Sequence, residues 1–391
     1  MSERTPVCVV GAGAVGCAVA LNLARQGREV FVLEKNSGVS QGENQSTRNS
    51  GVIHAGLYYD PETRPLKAGL CARGVEMLYD FCARHAVPHR RCGKLVVAVE
   101  EHEKPILELY RQRALGNQVP AEIISGARAR EMEPQVKAVE ALHLPTSGII
   151  DAAAYVHRLY AQGSNAGATY LTQTSLSGVK ATPEGLELTI TYRDGATDSF
   201  LCGLLVNCGG LYSDEVARLV DPQSAYQIDP VRGEAAKFYR HKRPDLGLVG
   251  MNIYPTPQKL VTPQGVYFTV GVHLTPTLET GPDGQTVIGQ VVTVCPLQRP
   301  ARDKEEFSGE YRPMKDFLDK VSAFFPGLRL EDLEPHQVGI QARMVGHQDW
   351  VLEFSPREPR CLNLLGIDSP GLTASLALAE RVEQMLDQDG R

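Results

Sequence analysis

Three glycines and one carboxylate carry the first recognisable chemistry in this chain. Gly11, Gly13 and Gly16 stand in G-x-G-x-x-G spacing, and Glu34 closes the segment that begins at Val7. Glycines at this spacing let a backbone turn tightly, approach a pyrophosphate and pack a helix on a strand. A helix opening behind them offers free N–H groups and the positive end of its dipole to phosphate. A carboxylate at Glu34 can accept from a ribose 2′-OH. The elements that must hold these groups can be read around them. Val7–Val10 has the composition of a buried strand, Ala14 to Gln26 has helical apolar spacing, and Val30–Leu33 forms a second strand ending at Glu34. The segment predicts a dinucleotide-binding unit rather than a glycine-rich turn in an ordinary βαβ unit. Glu34 suits a nicotinamide or a flavin dinucleotide equally.

Bulk properties narrow the classes. The 391 residues suffice for one large or two intimately joined domains, and 42% hydrophobic residues is ordinary for a globular enzyme. A net charge of -6 excludes a nucleic-acid partner held by bulk charge. No apolar run reaches membrane-spanning length, so no transmembrane segment is expected, although peripheral contact with a membrane is compatible with the sequence. Six residues precede the first strand, so no signal or transit peptide is expected. The nine cysteines form no C-x-x-C, and an odd, scattered set predicts a reducing cytoplasm. Cys82, His85, His89 and Cys92 have metal-like spacing, but Pro88 falls among them. They are read as a helix-to-strand connection, with no metal expected.

Further helices are predicted at 66–85, 100–115, Ala152 to Ala166, 311–324 and Leu372 to Leu386. Strands are predicted at Lys94 to Val99, Tyr170 to Val179, Leu186–Tyr192, Leu204–Asn207 and Leu362 to Leu365. Residues 229–295 alternate short strands with Pro and Gly turns, which suits an antiparallel sheet. The order implies a nucleotide domain at 1–85, 151–228 and 336–391, interleaved with a substrate domain at 86–150 and 229–335. No second G-x-G-x-x-G follows a strand.

Four stretches carry a family resemblance: STRNSGVIHAGLYY at 46–59, LKAGLCARG at 66–74, GVHLTPT at 271–277 and NLLGIDSPGLTASLALAE at 363–380. The chain resembles the FAD-dependent oxidoreductases of the D-amino-acid oxidase superfamily, most of all the L-2-hydroxyglutarate dehydrogenases and oxidases. The resemblance implies an α/β plus β-rich (α+β) architecture, a Rossmann-type FAD-binding domain with an interleaved antiparallel-sheet substrate domain. It also favours FAD over NAD. It places Thr47, Asn49, Ser50 and Gly51 along the flavin, and gives Leu176 backbone groups for the adenine. Gly209 permits close approach at the Cys208–Gly210 turn. Gly371, Leu372 and Thr373 open a helix whose N-terminus favours negative charge on a reduced ring.

Oxidising a small 2-hydroxy acid requires hydride transfer to the flavin, a base for the hydroxyl proton, and donors for carboxylate. Histidine suits the base because its pKa lies near working pH. His273, in a middle strand where alternation sets it opposite Val272, is the first candidate, and His54, behind the flavin loop, is the second. Relatives carry Gly-Ile/Val-Arg where this chain has Gly339-Ile340-Gln341. A bidentate guanidinium is therefore missing there, and Arg343 shares the strand face that would replace it. Tyr58, Tyr59, Tyr254, Lys67 and Arg73 are secondary substrate contacts. A second departure follows GVHLTPT, where relatives have Gly-Pro-Asn/Asp and this chain has Ile288-Gly289-Gln290. The leading expectation is oxidation of L-2-hydroxyglutarate to 2-oxoglutarate. The alternatives are amino-acid or secondary-amine oxidation and a silent FAD-binding assembly factor. The electron acceptor is left open among O2, a quinone and an electron-transfer flavoprotein.

Overall fold

Alternation in the first strand builds two layers at once. Val7 and Val9 face a helical layer, whereas Cys8 and Val10 face a small sheet on the other side. The computed structural model describes residues 6–390 apart from 41, 43, 263 and 264, with the backbone alone between 259 and 269. Val7–Val10 lies near the middle of a six-stranded sheet, ordered Val351–Phe354, Cys361–Leu365, Leu204–Asn207, Val7–Val10, Val30–Leu33, Thr169–Leu171. Every pair is parallel except the edge strand Val351–Phe354. Strands covered on both faces read as continuous apolar runs, which is why VCVV and LLVN were legible.

Helices Ala14–Arg25, Ala152–Asn165 and Gly371–Gln388 contribute buried residues to one face of this sheet, and Pro65–His85 packs on the C-terminal helix. Gly74 makes that contact close: a Cβ there would lie 2.4 Å from the Thr373 carbonyl oxygen. The opposite face carries the antiparallel sheet Thr174–Ala181, Leu186–Tyr192, Thr197–Cys202. Each fully buried aliphatic side chain in these layers contributes about 1.5–3 kcal/mol.

The second large sheet has eight strands: Glu334–Met344, Ile228–Tyr239, Thr286–Pro300, His273–Thr280, Asn252–Pro255, Lys94–Ala98, Glu140–Leu144, Glu122–Ser125. It is antiparallel except where Asn252–Pro255 meets Lys94–Ala98 in parallel. These strands belong to separate stretches of sequence, so no tight hairpin imposes their direction. Register then assigns the faces. Asn252 pairs with Lys94, Tyr254 with Val96, Ile253 with Leu274 and His273 with Cys295. Leu95, Ile253 and Leu274 enter a core with Phe317, Phe324 and Phe325. Lys94, Tyr254 and His273 therefore share the other face.

Some expected boundaries differ. Tyr170 to Val179 is broken between sheets, with Gln173 at φ +54, into Thr169–Leu171 and Thr174–Ala181. The helix expected at 311–324 is Met314–Val321, because Pro313 is held in an extended conformation at its N-cap. The strand alternation expected across 229–295 crosses 263 and 264, which lie outside the described residues. Cys82 and His85 end the helix Pro65–His85, and His89 begins a short strand, its Nδ1 2.8 Å from the Val87 carbonyl oxygen.

Candidate active site

Between the two sheets runs a cavity of about 1950 Å³, larger than a single drug-sized ligand needs. At one end lie Gly11, Gly13, Gly16, Glu34, Leu176 and Gly209. Gly11 has φ +97, and a Cβ there would stand 2.5 Å from the Cys208 carbonyl oxygen. A Cβ on Gly16 would lie 1.8 Å from the Gly11 carbonyl oxygen. A Cβ on Gly13 would stand 2.9 Å from Ser46 Oγ, which accepts from the Ala14 N–H at 2.9 Å. The Glu34 carboxylate accepts from the backbone N–H groups of Ala12 at 2.8 Å and Asn36 at 2.9 Å. Burial raises its pKa, and those two N–H groups partly offset the rise. Asn49 and Ser50 line the wall further along. Thr47, Gly51 and Thr373 do not line it. Thr47 Oγ1 donates to the Asn44 carbonyl, Gly51 backs onto Ile150 at φ +69, and Thr373 Oγ1 accepts from the His54 N–H at 3.1 Å.

The other end is built from side chains. His54, Tyr58, Tyr59, Lys67, Tyr254 and His273 all face the cavity. His273 stacks on Tyr254 with ring centroids 3.8 Å apart and 10° between planes. Its Nδ1 lies 3.2 Å from the Gly271 carbonyl oxygen, while its buried Nε2 has no partner. His54 Nε2 lies 3.3 Å from Ser369 Oγ, and its buried Nδ1 has no partner. The Tyr58 hydroxyl is also buried and unpartnered. Burial, then the charge of Lys94, holds the His273 pKa down at about 3. Burial, then Lys94 and His273, holds His54 well below its usual range. Both imidazoles are consequently neutral near pH 7, and burial overturns the expectation that either titrates near working pH. Lys67 is paired with Asp368 at 2.8 Å. Gly371 and Leu372, at the N-terminus of the helix Gly371–Gln388, complete this wall. The expected substitute for the missing guanidinium stands apart: Arg343 is exposed at the rim, opposite Asp229, and Gln341 accepts from Gln298 at 3.1 Å. Arg73 lies on the surface, paired with Glu380 at 3.0 Å.

The family described as DAO, FAD dependent oxidoreductase, matches residues 6–385, nearly the whole chain. The chain belongs to this FAD-dependent oxidoreductase family. It is similar to the mitochondrial L-2-hydroxyglutarate dehydrogenase of Arabidopsis thaliana, 30% identical over 97% of this chain and 83% of that protein. It is also similar to the mitochondrial L-2-hydroxyglutarate dehydrogenase of Bos taurus, 33% identical over 98% of this chain and 88% of that protein. Among solved structures, the L-alpha-glycerophosphate oxidase of Mycoplasma pneumoniae with FAD bound superposes with a TM-score of 0.82, at 23% identity, over 98% of this chain and 95% of that chain. Glycine oxidase from Geobacillus kaustophilus gives 0.76 at 18% identity, over 99% and 95%. Likeness at such identities shows the fold. The relatives' mitochondrial names overturn the expectation of a cytoplasmic protein. Cysteine usage separates reducing from oxidising surroundings, but it does not tell one reducing compartment from another.

The residues present fit FAD. The three glycines keep the backbone bare where any Cβ would collide, and the buried Glu34 carboxylate is fixed by two backbone donors. Sequence reasoning missed three residues. Ser46 opens the first of the four motifs, and nothing in the sequence shows that its Oγ holds the Ala14 N–H. Lys94 is buried, with Nζ 3.9 Å from the Tyr254 ring centroid and 5.3 Å from that of Tyr58, and with no carboxylate paired to it among the described residues. Burial pushes its pKa down to about 7. A lysine opening the run KLVVA, whose every residue is buried, was the available signal. Arg64 lines the cavity, and its position after a Pro-Glu-Thr turn carried no signal.

Proposed function

We propose that the protein oxidises a small 2-hydroxy acid, L-2-hydroxyglutarate to 2-oxoglutarate. The reading draws on the names of relatives 30% and 33% identical over nearly the full chain. One observation carries it: two neutral imidazole nitrogens, His273 Nε2 and His54 Nδ1, are buried and unpartnered in the wall of the cavity. An unsatisfied buried acceptor costs free energy unless a ligand supplies the proton. FAD, when bound, supplies the two-electron acceptor. The remaining tasks fall to the chain. His273 accepts the hydroxyl proton through Nε2, with its ring orientation set by the Tyr254 stack and the Gly271 carbonyl. His54 is the second acceptor. The Tyr58 hydroxyl donates to a substrate oxygen, and the buried rings of Tyr58, Tyr59 and Tyr254 exclude water. Gly11, Gly13, Gly16, Glu34, Asn49, Ser50, Leu176, Gly209, Gly371 and Leu372 hold the cofactor, with Thr47, Gly51 and Thr373 behind them. Residues 1–85, 151–228 and 336–391 form the cofactor-binding part, and 86–150 with 229–335 the substrate part.

The test is anaerobic mixing of the FAD-loaded protein with a panel of 2-hydroxy acids and amino acids. L-2-Hydroxyglutarate is expected to bleach the flavin. Bleaching by amino acids alone would make the protein an amine oxidase, and bleaching by neither class would make it a silent flavoprotein.

A further inference from the structure

Cations lining a cavity are informative when they lack a counter-charge. Most here have one. Lys35 is paired with Glu305 at 2.5 Å, Lys67 with Asp368 at 2.8 Å, Arg218 with Asp214 at 3.1 Å, Arg299 with Glu306 at 2.7 Å, and Lys304 with Asp214 at 2.7 Å. Arg343 and Lys320 are exposed at the rim. Arg48 also has a buried Nε without a partner, but its guanidinium packs 4.5 Å over the Phe307 ring and reaches the Val338 carbonyl. Arg64 differs. It is half-buried in the cavity wall, its Nε is buried without a partner, and no carboxylate or carbonyl holds its guanidinium among the described residues.

Its surroundings place it at the histidine end. Arg64 is close enough to Tyr59 and Tyr110 for its charge to lower both phenols' pKa values against the larger effect of burial. Tyr110 packs edge-on against Tyr58 at 5.7 Å, Tyr58 lies 6.4 Å from Tyr254, and Tyr254 carries His273. The helix N–H groups and Lys67 beside Arg64 are already occupied. Arg64 is the N-cap of the helix Pro65–His85, but the free N–H groups of that helix, on Leu66 and Lys67, donate to the Asp349 carboxylate at 2.7 and 3.1 Å. Asp368 takes Lys67 and also accepts from Trp350 Nε1 at 3.1 Å. The Arg64 backbone is fixed as well, its N–H donating to the Asp60 carbonyl at 2.7 Å and its carbonyl accepting from Ala68 at 3.0 Å. A guanidinium on an anchored backbone, partly removed from water and left unpaired, is complementary to a planar anion that takes two parallel N–H bonds.

We propose that Arg64 determines specificity by receiving the substrate carboxylate remote from the carbon being oxidised, which makes the site one for 2-hydroxy dicarboxylic acids. The inference rests on the hydroxy-acid reading above.

The test compares wild type, Arg64→Gln and Arg64→Lys as FAD-loaded proteins. Arg64→Gln removes no bond that the folded chain makes with this side chain. Glutarate and butyrate, which cannot be oxidised as 2-hydroxy acids, are titrated against the flavin spectrum. Wild type should bind glutarate roughly tenfold to a hundredfold more tightly than butyrate, the worth of a charge-assisted pair. Arg64→Gln should erase that preference, and Arg64→Lys should keep part of it. In anaerobic reduction, Arg64→Gln should raise the half-saturating concentration of L-2-hydroxyglutarate by a similar factor, keep the limiting rate within about threefold, and leave L-2-hydroxybutyrate unaffected. Equal glutarate binding by wild type and Arg64→Gln overturns the proposal, as does a wild type with no preference for glutarate. A wild type that loses glutarate preference on Arg64→Gln but is bleached by no 2-hydroxy acid overturns the oxidation reading and leaves Arg64 as the carboxylate site. Bleaching of both proteins with identical concentration dependence does the reverse.

Discussion

The two ends of the cavity are built on opposite plans. At the glycine end the groups that frame the turn are held by one another, Glu34 by Ala12 and Asn36 and Ala14 by Ser46, and Asn44 Oδ1 beside them is buried without a partner. That end is a backbone surface kept bare by absent side chains, ready for a ligand that is the same throughout a family. At the histidine end, buried polar atoms stand without partners: His54 Nδ1, His273 Nε2, the Tyr58 hydroxyl and Arg64 Nε. In a folded protein nearly every buried polar group finds a partner. Four orphans at one end of one cavity therefore describe what is to be bound there, a molecule with a proton to give and oxygens to be held. The contrast separates holding a cofactor from choosing a substrate, and substitutions at the two ends should fail in different ways.

The largest effect belongs to the glycine end. Gly13→Val should give folded protein without FAD, because even the first carbon of the new side chain lies 2.9 Å from Ser46 Oγ in the wall where the cofactor must rest. Visible absorbance and circular dichroism of the purified variant check this together. A yellow variant with stoichiometric flavin would show that the turn does not carry the phosphates. Next in size is His273→Ala. It should keep FAD and slow anaerobic flavin reduction by roughly two to four powers of ten, the usual worth of a positioned base. A larger loss from His54→Ala would exchange the two roles. Because burial holds His273 to about 3, its neutral form prevails across the neutral range. Wild-type reduction should show no limb that His273→Ala abolishes, the shallow one expected near pH 7 belonging to Lys94. A limb there that vanishes in His273→Ala would mean that substrate binding restores the imidazole's normal basicity.

How much of this was legible follows from how each end is made. The glycine end occupies one short segment whose glycine spacing, buried strands and terminal acid each leave a mark, so Gly11, Gly13, Gly16 and Glu34 were readable directly. The faces of the second sheet were not. His273 could be set opposite Val272 by alternation, but its meeting with Tyr254 depends on an antiparallel pairing with Asn252–Pro255, and that with Lys94 on a parallel pairing between strands distant in sequence. Periodicity cannot report which strand lies beside which. Lys94 stands in the predicted strand Lys94 to Val99, but composition does not say which way a lysine at a strand's head points, and here the sheet turns it inward. Arg343 was favoured because it sits two residues from Gln341 on the same strand. Position along a strand does not give depth, and the structure leaves Arg343 at the rim. Thr47, Gly51 and Thr373 belong to motifs that reach the cavity, and motif membership does not distinguish a wall from the layer that supports it.

A smaller effect on turnover than that of His273→Ala, and the sharpest test of the contrast, is expected from Lys94→Met. Lys94 carries no partner of opposite charge among the described residues. It lies against the rings of Tyr254 and Tyr58, close enough to His54 and His273 to disfavour their protonation, with the thiols of Cys71 and Cys92 also nearby. Burial lowers its pKa to about 7, so the folded protein releases a proton that the unfolded chain keeps up to the ordinary lysine value near 10.4. The sign follows. The cost of burying the ammonium is fully present below about pH 7 and fades as pH rises toward the unfolded value. Lys94→Met should therefore raise the melting temperature at pH 6, and the gain should shrink by pH 10. Turnover should change by no more than about tenfold, since the amine touches neither proton-accepting nitrogen, but wild type should show a shallow limb near pH 7 that the variant lacks. A variant less stable than wild type at pH 6 would mean that the amine is compensated in the fold. A limb that persists in the variant would assign that titration to another group.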